Sequence, residues 1–107
     1  MVIIYKMADL TAVGGFEWDE GNKRKSADKH AVSQPEAEQI FADKRVLLAL
    51  DQEHSAAETR FHALGMTAAG RLLQVTFALR HSSTKIRVIY ARPMTRRERS
   101  IYEEKSA

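Results

Sequence analysis

The chain has 107 residues, of which 44% are hydrophobic and 29% charged, and its formal net charge is +3 at pH 7. This length suits one folded domain with a single core. There is no cysteine, which excludes disulfides, a thiolate nucleophile and cysteine-based metal sites, and no apolar run approaches the roughly 20 residues that span a bilayer.

The first 15 residues show no clear periodic pattern, and we expect an N-terminal arm of uncertain order there. Its apolar run at 2–5 is short, and the one lysine follows that run, so the segment is a poor signal peptide. Gly14 and Gly15 end the arm. We therefore expect a single domain over 16–107 in a cytoplasmic protein.

The next segment predicts a short strand followed by a polar helix. Residues 16–18 alternate apolar and polar side chains, as a strand does. Asp19 can then cap a helix at about 20–29.

A second helix is marked by stronger signals. Ser33 and Glu36 have the spacing of a capping box, with Pro35 tolerated in the first turn. Apolar residues then recur at helical spacing at Ala37, Ile40 and Phe41. The compact apolar run at 45–51 follows and predicts a strand.

Three further strands are predicted at 58–66, 71–80 and 85–92. Segments with turn chemistry at 67–70 and 81–84 separate them. The three strands therefore predict an antiparallel meander.

Closing the second hairpin on its four-residue turn pairs Arg80 with Lys85. The two strands then share an apolar face and an opposite face that is small, polar and basic. The apolar face is predicted to hold Val75, Phe77, Leu79, Ile86, Val88 and Tyr90. The opposite face is predicted to hold Gln74, Thr76, Ala78, Arg80, Arg87 and Ala91, as expected of the floor of a groove for a phosphate backbone.

A last helix is predicted after Pro93, which ends the final strand. Thr95 and Glu98 form a second capping box, and Ile101 and Tyr102 can dock on the sheet. The element order indicates an α+β fold with an antiparallel β-sheet, two N-terminal helices and one C-terminal helix.

The charge is distributed unevenly along the chain. Residues 59–97 include eight Lys or Arg and no Asp or Glu. The chain up to residue 53 has 7 basic and 10 acidic side chains, a net charge of −3. The remainder has 10 basic and 4 acidic side chains, a net charge of +6, and the two halves together give the total of +3. Arginine suits phosphate through its planar, permanently charged fork. A polyanionic ligand, most simply nucleic acid, is therefore expected.

An ordered set of short motifs runs through residues 16–103. They are Phe16-Glu17-Trp18-Asp19, Lys29-His30 with Val32, Glu58 with Arg60-Phe61 and Ala63-Leu64-Gly65, Gly70-Arg71-Leu72-Leu73 with Val75, Phe77 and Arg80, Ile86-Arg87 with Ile89, Ala91-Arg92, Arg97-Glu98-Arg99 and Tyr102-Glu103. In this order the set resembles the BrnT family of type II toxins, small ribonucleases with a RelE-like fold. The first helix departs from the family pattern at Asn22 and Ser26, where the family usually has Lys and Asn.

The resemblance implies a toxin that cleaves RNA without metal or cofactor and arrests growth. In RelE-like ribonucleases the ribose 2′-OH attacks the adjacent phosphate and gives a 2′,3′-cyclic phosphate. The implied partner is a BrnA-like antitoxin with a ribbon-helix-helix part, forming a heterotetramer that binds operator DNA through the antitoxin. The alternative is a catalytically inactive, nucleic-acid-binding homologue that acts only in autoregulation with the antitoxin, which Asn22 and Ser26 leave open.

Candidate site residues follow from the chemistry that this resemblance implies. Arg80, Arg71 and Arg92 are candidate ligands of the phosphate and its transition state, and the alternative for each is a structural ion pair or a solvated strand end. Glu58 is either a general base or the ion-pair partner of a nearby arginine. Lys29 and His30 are candidates for proton transfer, although the end of a helix also favours cations through its dipole. Residues expected to bind RNA are Arg87, Arg96, Arg97, Lys85 and Lys23.

Overall fold

The computed structural model describes residues 5–7, 14–18, 30–53, 58–80 and 85–105. They form an α+β fold around one six-stranded sheet. The strands are β1 (Lys6–Met7), β2 (Gly15–Trp18), β3 (Leu47–Asp51), β4 (Arg60–Met66), β5 (Leu72–Arg80) and β6 (Lys85–Pro93). The helices are α1 (Gln34–Gln39), continued by a 3-10 turn at Ile40–Ala42, and α2 (Arg96–Lys105). The helix predicted at 20–29 lies outside the described residues.

The sheet has the strand order β1-β3-β4-β5-β6-β2. The central meander β3 to β6 is antiparallel, as predicted. The prediction of a wholly antiparallel sheet is wrong at one edge, because β2 pairs with β6 in parallel. A short turn forces neighbouring strands to be antiparallel, but most of the domain separates β2 from β6, so no turn fixes their relative direction.

β1 lies within the segment expected to be an arm. It pairs with β3 at the other edge of the sheet. Tyr5, directly before β1, is buried in a small apolar cluster. The sequence predicted no strand there because two residues are too few to show a periodicity.

Both predicted capping boxes are present. Ser33 accepts a hydrogen bond from the backbone of Glu36, whose side chain in turn accepts one from the backbone of Ser33. Thr95 and Glu98 make the same reciprocal pair ahead of α2. The starts of the two helices are therefore fixed by local sequence.

The helices cover opposite faces of the sheet. α1 and the turn after it bury Ala37 and Ile40 against the larger core, which includes Val75 and Phe77. The 3-10 turn packs closely on β4 at Gly65, because a Cβ added to Gly65 would lie only 2.8 Å from the Cβ of Ile40. α2 packs Tyr102, with Ile101 beside it, on the other face.

A bulge in β6 changes the predicted division of residues between the faces. Phe77 pairs with Val88 but Thr76 pairs with Tyr90, so Ile89 is an extra residue in β6. Beyond the bulge the alternation is reversed. Ala91 is therefore fully buried in the larger core, and Tyr90 faces away with Thr76. Placing Tyr90 on the apolar face and Ala91 on the polar face was wrong, because the turn sets the register only as far as the bulge.

Candidate functional site

The polar face of the sheet carries a row of five residues across five strands, all charged except the alanine at its centre. Each member is the direct cross-strand neighbour of the next. In order, the row is Asp51, Arg60, Ala78, Arg87 and Glu17. The small side chain of Ala78 leaves space over the centre of the sheet between two arginines. Ala78 itself is fully buried.

Glu58 lies between two arginines at the end of this face. Its Oε1 pairs with Nη2 of Arg87, and its Oε2 is 3.8 Å from Nη2 of Arg80. The Arg87 side chain is 12% exposed and that of Arg80 is 46% exposed. Both carboxylate oxygens are thus directed at guanidinium groups. This is the geometry expected of an ion-pair partner, and we call the three residues the Glu58 bridge.

Arg92 is tied to the start of α2. Its Nη1 and Nη2 donate to the two carboxylate oxygens of Glu98, at 2.7 and 2.9 Å. The hydrogen bonds to Glu98 raise the pKa of Arg92. Burial alone would raise the pKa of Glu98, but the hydrogen bonds from Arg92 and Thr95 outweigh it and lower that pKa below 4.5. Both groups are therefore charged, and they hold α2 on the sheet.

Arg71 lies at the opposite end of β5 from Arg80, about 30 Å away along a strand of this length. Its guanidinium donates to Oε2 of Glu36 at 3.1 Å and to the carbonyls of Ala31 and His30. A backbone hydrogen bond from Ser33, and next the one from Arg71, lower the pKa of Glu36. The structure thus places Arg71 and His30 away from the Glu58 bridge. Their catalytic roles stay predictions.

The remaining predicted RNA-binding residues surround the polar face or fall outside the described part. Lys85 is the cross-strand neighbour of Arg80, as predicted. Arg96 and Arg97 are exposed in the first turn of α2. Lys23 and Lys29 lie outside the described residues.

A cleft of about 440 Å³ opens on the polar face beside the charged row. Tyr5, directly before β1, borders it together with β3, β4, β5, β6 and α2. The lining residues are Tyr5, Leu50, Asp51, Gln52, Glu53, Arg60, His62, Gln74, Thr76, Tyr90, Arg92 and Glu98. Burial raises the pKa of Tyr5 to about 12, so its phenol stays protonated at neutral pH.

The floor of the cleft holds a hydrogen-bonded group that the sequence analysis missed. His62 Nε2 is 3.2 Å from Asp51 Oδ2, and His62 Nδ1 is 2.7 Å from Gln74 Nε2 and 2.9 Å from Thr76 Oγ1. With the Gln74 amide nitrogen as the donor, Nδ1 accepts and the ring proton is assigned to Nε2, facing Asp51.

The sequence feature that could have located this hydrogen-bonded group is the turn at 67–71. Gly70 has φ +87°, and its N–H donates to the Thr67 carbonyl. A hairpin closed there pairs Met66 with Leu72 and hence His62 with Thr76. The sequence analysis assigned faces only to the second hairpin and so placed His62 on neither face, because a shift of one residue in register exchanges the two faces of a strand.

Within the described ranges, no three His, Cys, Asp or Glu side chains are grouped as metal ligands. None of the described helices is long and apolar enough to cross a membrane.

Comparison with known proteins connects this chain to a family. A family model described as "Ribonuclease toxin, BrnT, of type II toxin-antitoxin system" matches residues 18–98. No curated protein matches the chain significantly. The fold is similar to the 1.1 Å crystal structure of the Brucella abortus ribonuclease toxin BrnT, with a TM-score of 0.55 and 18% sequence identity. That similarity covers 77% of this chain and 97% of the Brucella chain.

Proposed function

Since the chain belongs to the BrnT family of ribonuclease toxins of type II toxin–antitoxin systems, we propose that it is a metal-independent, RelE-like endoribonuclease of the cytoplasm that arrests growth. In the proposed reaction the ribose 2′-OH attacks the adjacent phosphorus and the 5′-oxygen leaves, so the products are a 2′,3′-cyclic phosphate and a free 5′-hydroxyl.

The Glu58 bridge carries the proposal. Arg80 and Arg87 project from neighbouring strands onto one carboxylate, at 3.8 Å in the case of Arg80. Two convergent guanidinium groups also suit a phosphodiester, which carries the same single charge as a carboxylate, and they suit the phosphorane better because further negative charge develops on its oxygens. A bound phosphodiester would take the place of the Glu58 carboxylate, and the arginines would stabilise the charge that develops on the phosphorane.

Glu58 then acts as an ion-pair partner that keeps the two arginines in position before RNA binds. Both of its oxygens are already engaged, which favours this role over that of general base. Glu58→Gln is expected to tighten RNA binding, because it removes an anion that competes with the phosphate, and to slow cleavage less than Arg80→Ala does. If it instead slowed cleavage as much as Arg80→Ala with unchanged RNA binding, Glu58 would be the base.

The activity test is direct. Purified protein should cleave RNA in the presence of EDTA, and the products should end in a cyclic phosphate, detectable by mass spectrometry. Expression without antitoxin should slow growth. RNA bound but left intact would instead support the inactive, autoregulatory homologue.

The family implies an antitoxin partner. We further propose a BrnA-like ribbon-helix-helix antitoxin that covers the polar face, giving a heterotetramer that binds operator DNA through the antitoxin. Covering this face would block the Glu58 bridge and neutralise part of the +6 charge of the C-terminal half. The complex should survive 1 M salt, where the Debye length is about 3 Å and charge contacts alone are screened. Dissociation there would contradict a partly apolar interface.

A further inference from the structure

The cleft beside the Glu58 bridge differs from it in charge. Its lining has three carboxylates, Asp51, Glu53 and Glu98, against two guanidinium groups, Arg60 and Arg92. Arg92 and Glu98 neutralise one another at 2.7 Å. A phosphate has no electrostatic reason to enter such a cleft, whereas an uncharged part of a nucleotide has no such obstacle.

The walls and floor of the cleft offer flat apolar surface together with hydrogen-bond acceptors. Tyr5 and Tyr90 contribute aromatic rings. Gln74 is only 1% exposed, and its Oε1 is a buried acceptor with no hydrogen-bond donor among the described residues. Its amide nitrogen is already committed to His62 and Thr76. The floor is therefore held rigidly, with an acceptor left over.

The volume fits a small planar ligand. Pockets for small molecules typically measure about 300–1,000 Å³, and this one measures about 440 Å³. Proteins that read single-stranded RNA stack its bases on aromatic side chains and hydrogen-bond their edges. A polar cleft with two tyrosines and buried acceptors provides both kinds of contact.

The cleft also has the right position relative to the Glu58 bridge. Arg60 lines the cleft and is the cross-strand neighbour of Ala78, which in turn neighbours Arg87. β4 and β6 are two strand spacings apart, about 10 Å. A nucleotide whose phosphate lies at Arg87 can therefore direct a base into the cleft.

We propose that this cleft is a nucleobase subsite which reads a base next to the scissile phosphate and favours guanine. Guanine presents two neighbouring donors, N1–H and the N2 amino group, and the lining supplies acceptors at Gln74, Asp51 and Glu53. This subsite rests on the proposed function, because the phosphate bound at the Glu58 bridge positions the base. It gives the enzyme a preference for sequence that the arginines alone cannot provide.

The test uses the full chain and 2′-O-methyl trinucleotides, which cannot be cleaved because the attacking hydroxyl is blocked. The central residue is guanosine, uridine or an abasic ribose, and affinities are measured by calorimetry at one fixed salt concentration. We expect the guanosine form to bind at least about tenfold more tightly than the abasic form, as stacking of one base provides. In NMR titrations, signals of Tyr5, Tyr90 and His62 should shift with guanosine and not with the abasic form.

Variants locate the effect. Tyr90→Ala should abolish the preference for guanosine while leaving the abasic trinucleotide bound as before, because the abasic form has no base to place against Tyr90. Lys44→Ala, an exposed change beside Asp43, should leave both affinities unchanged. If Tyr90→Ala does not fold, the wild-type comparison of guanosine with the abasic form still decides.

Each outcome has a separate meaning. Equal affinity for the guanosine and abasic forms would overturn the subsite and leave the proposed function standing. Equal affinity for guanosine and uridine would overturn the preference for guanine. Failure of all three to bind, with natural RNA left intact, would overturn the proposed function itself.

Discussion

Replacing Arg80 by alanine separates a catalytic role from a structural one. The Arg80 side chain is 46% exposed, and its nearest carboxylate oxygen in the bridge is 3.8 Å away. An exposed pair of this kind contributes about 0–1 kcal/mol to stability. The free energy of unfolding of Arg80→Ala should therefore stay close to that of the wild type.

Activity should respond very differently. A preorganised charged donor to a developing oxyanion typically contributes about 10²–10³ in rate. Arg80→Ala should slow cleavage by that factor and remove toxicity. Arg80→Lys should recover only part of the rate, because an ammonium group keeps the charge without the bidentate fork.

The assay is single-turnover cleavage of a labelled RNA in EDTA, paired with urea denaturation of the same samples. Lys44→Ala is the matched control, because it also removes one positive charge. Lys44 lies next to Asp43, whose Oδ2 accepts a hydrogen bond from the backbone N–H of Met66 on β4. If Arg80→Ala cleaved as fast as Lys44→Ala, the Glu58 bridge would not be the phosphate site. If Arg80→Ala failed to fold, the arginine would be structural.

Three further predictions concern stability, each measured by urea denaturation. Arg92→Ala should lower the free energy of unfolding by about 1–3 kcal/mol, because Glu98 would be left partly buried without its bidentate donor; an effect as small as that of Arg80→Ala would contradict this. The pKa of Glu98 in the folded state is below its ordinary 4.5. Its contribution to the free energy of unfolding is therefore complete above pH 4.5 and is lost as the pH falls through the folded-state pKa. Glu98→Gln should flatten that part of the pH profile of stability, and an unchanged slope in acid would refute the role given to Glu98. Gly65→Ala should destabilise by about 1–3 kcal/mol, because its Cβ would lie 2.8 Å from the Ile40 side chain and 2.9 Å from the Ile40 carbonyl; wild-type stability would mean that α1 can move away from β4 without loss.

Local signals in the sequence were enough to predict most elements. The capping boxes at Ser33 and Thr95 act within one helical turn, so they start helices whatever surrounds them. The alternating strands and the turn before Lys85 likewise fixed the pairing of Arg80 with Lys85. The motifs that resemble the BrnT family are also a property of the sequence, and the family match confirms that resemblance.

The sequence was misleading about the ion-pair partners of the arginines, because these carboxylates lie outside the stretch in which the charges were counted. The stretch 59–97 has no acidic residue, which suggested arginines awaiting an external anion. In the fold, carboxylates from outside that stretch reach them, with Glu36 at Arg71 and Glu98 at Arg92. A count along the chain cannot show such pairs, because ion pairing depends on distance in space.

Only the tertiary structure decided which residues share the site. The bulge at Ile89 exchanges the faces of the residues beyond it, and this brings Tyr90 and Arg92 to the cleft. The parallel edge strand places Glu17 beside Arg87. Capping boxes, turn residues and periodicity determined the elements because they act locally. Register, bulges and edge pairing are set by packing between segments far apart in sequence, and these determine the cleft.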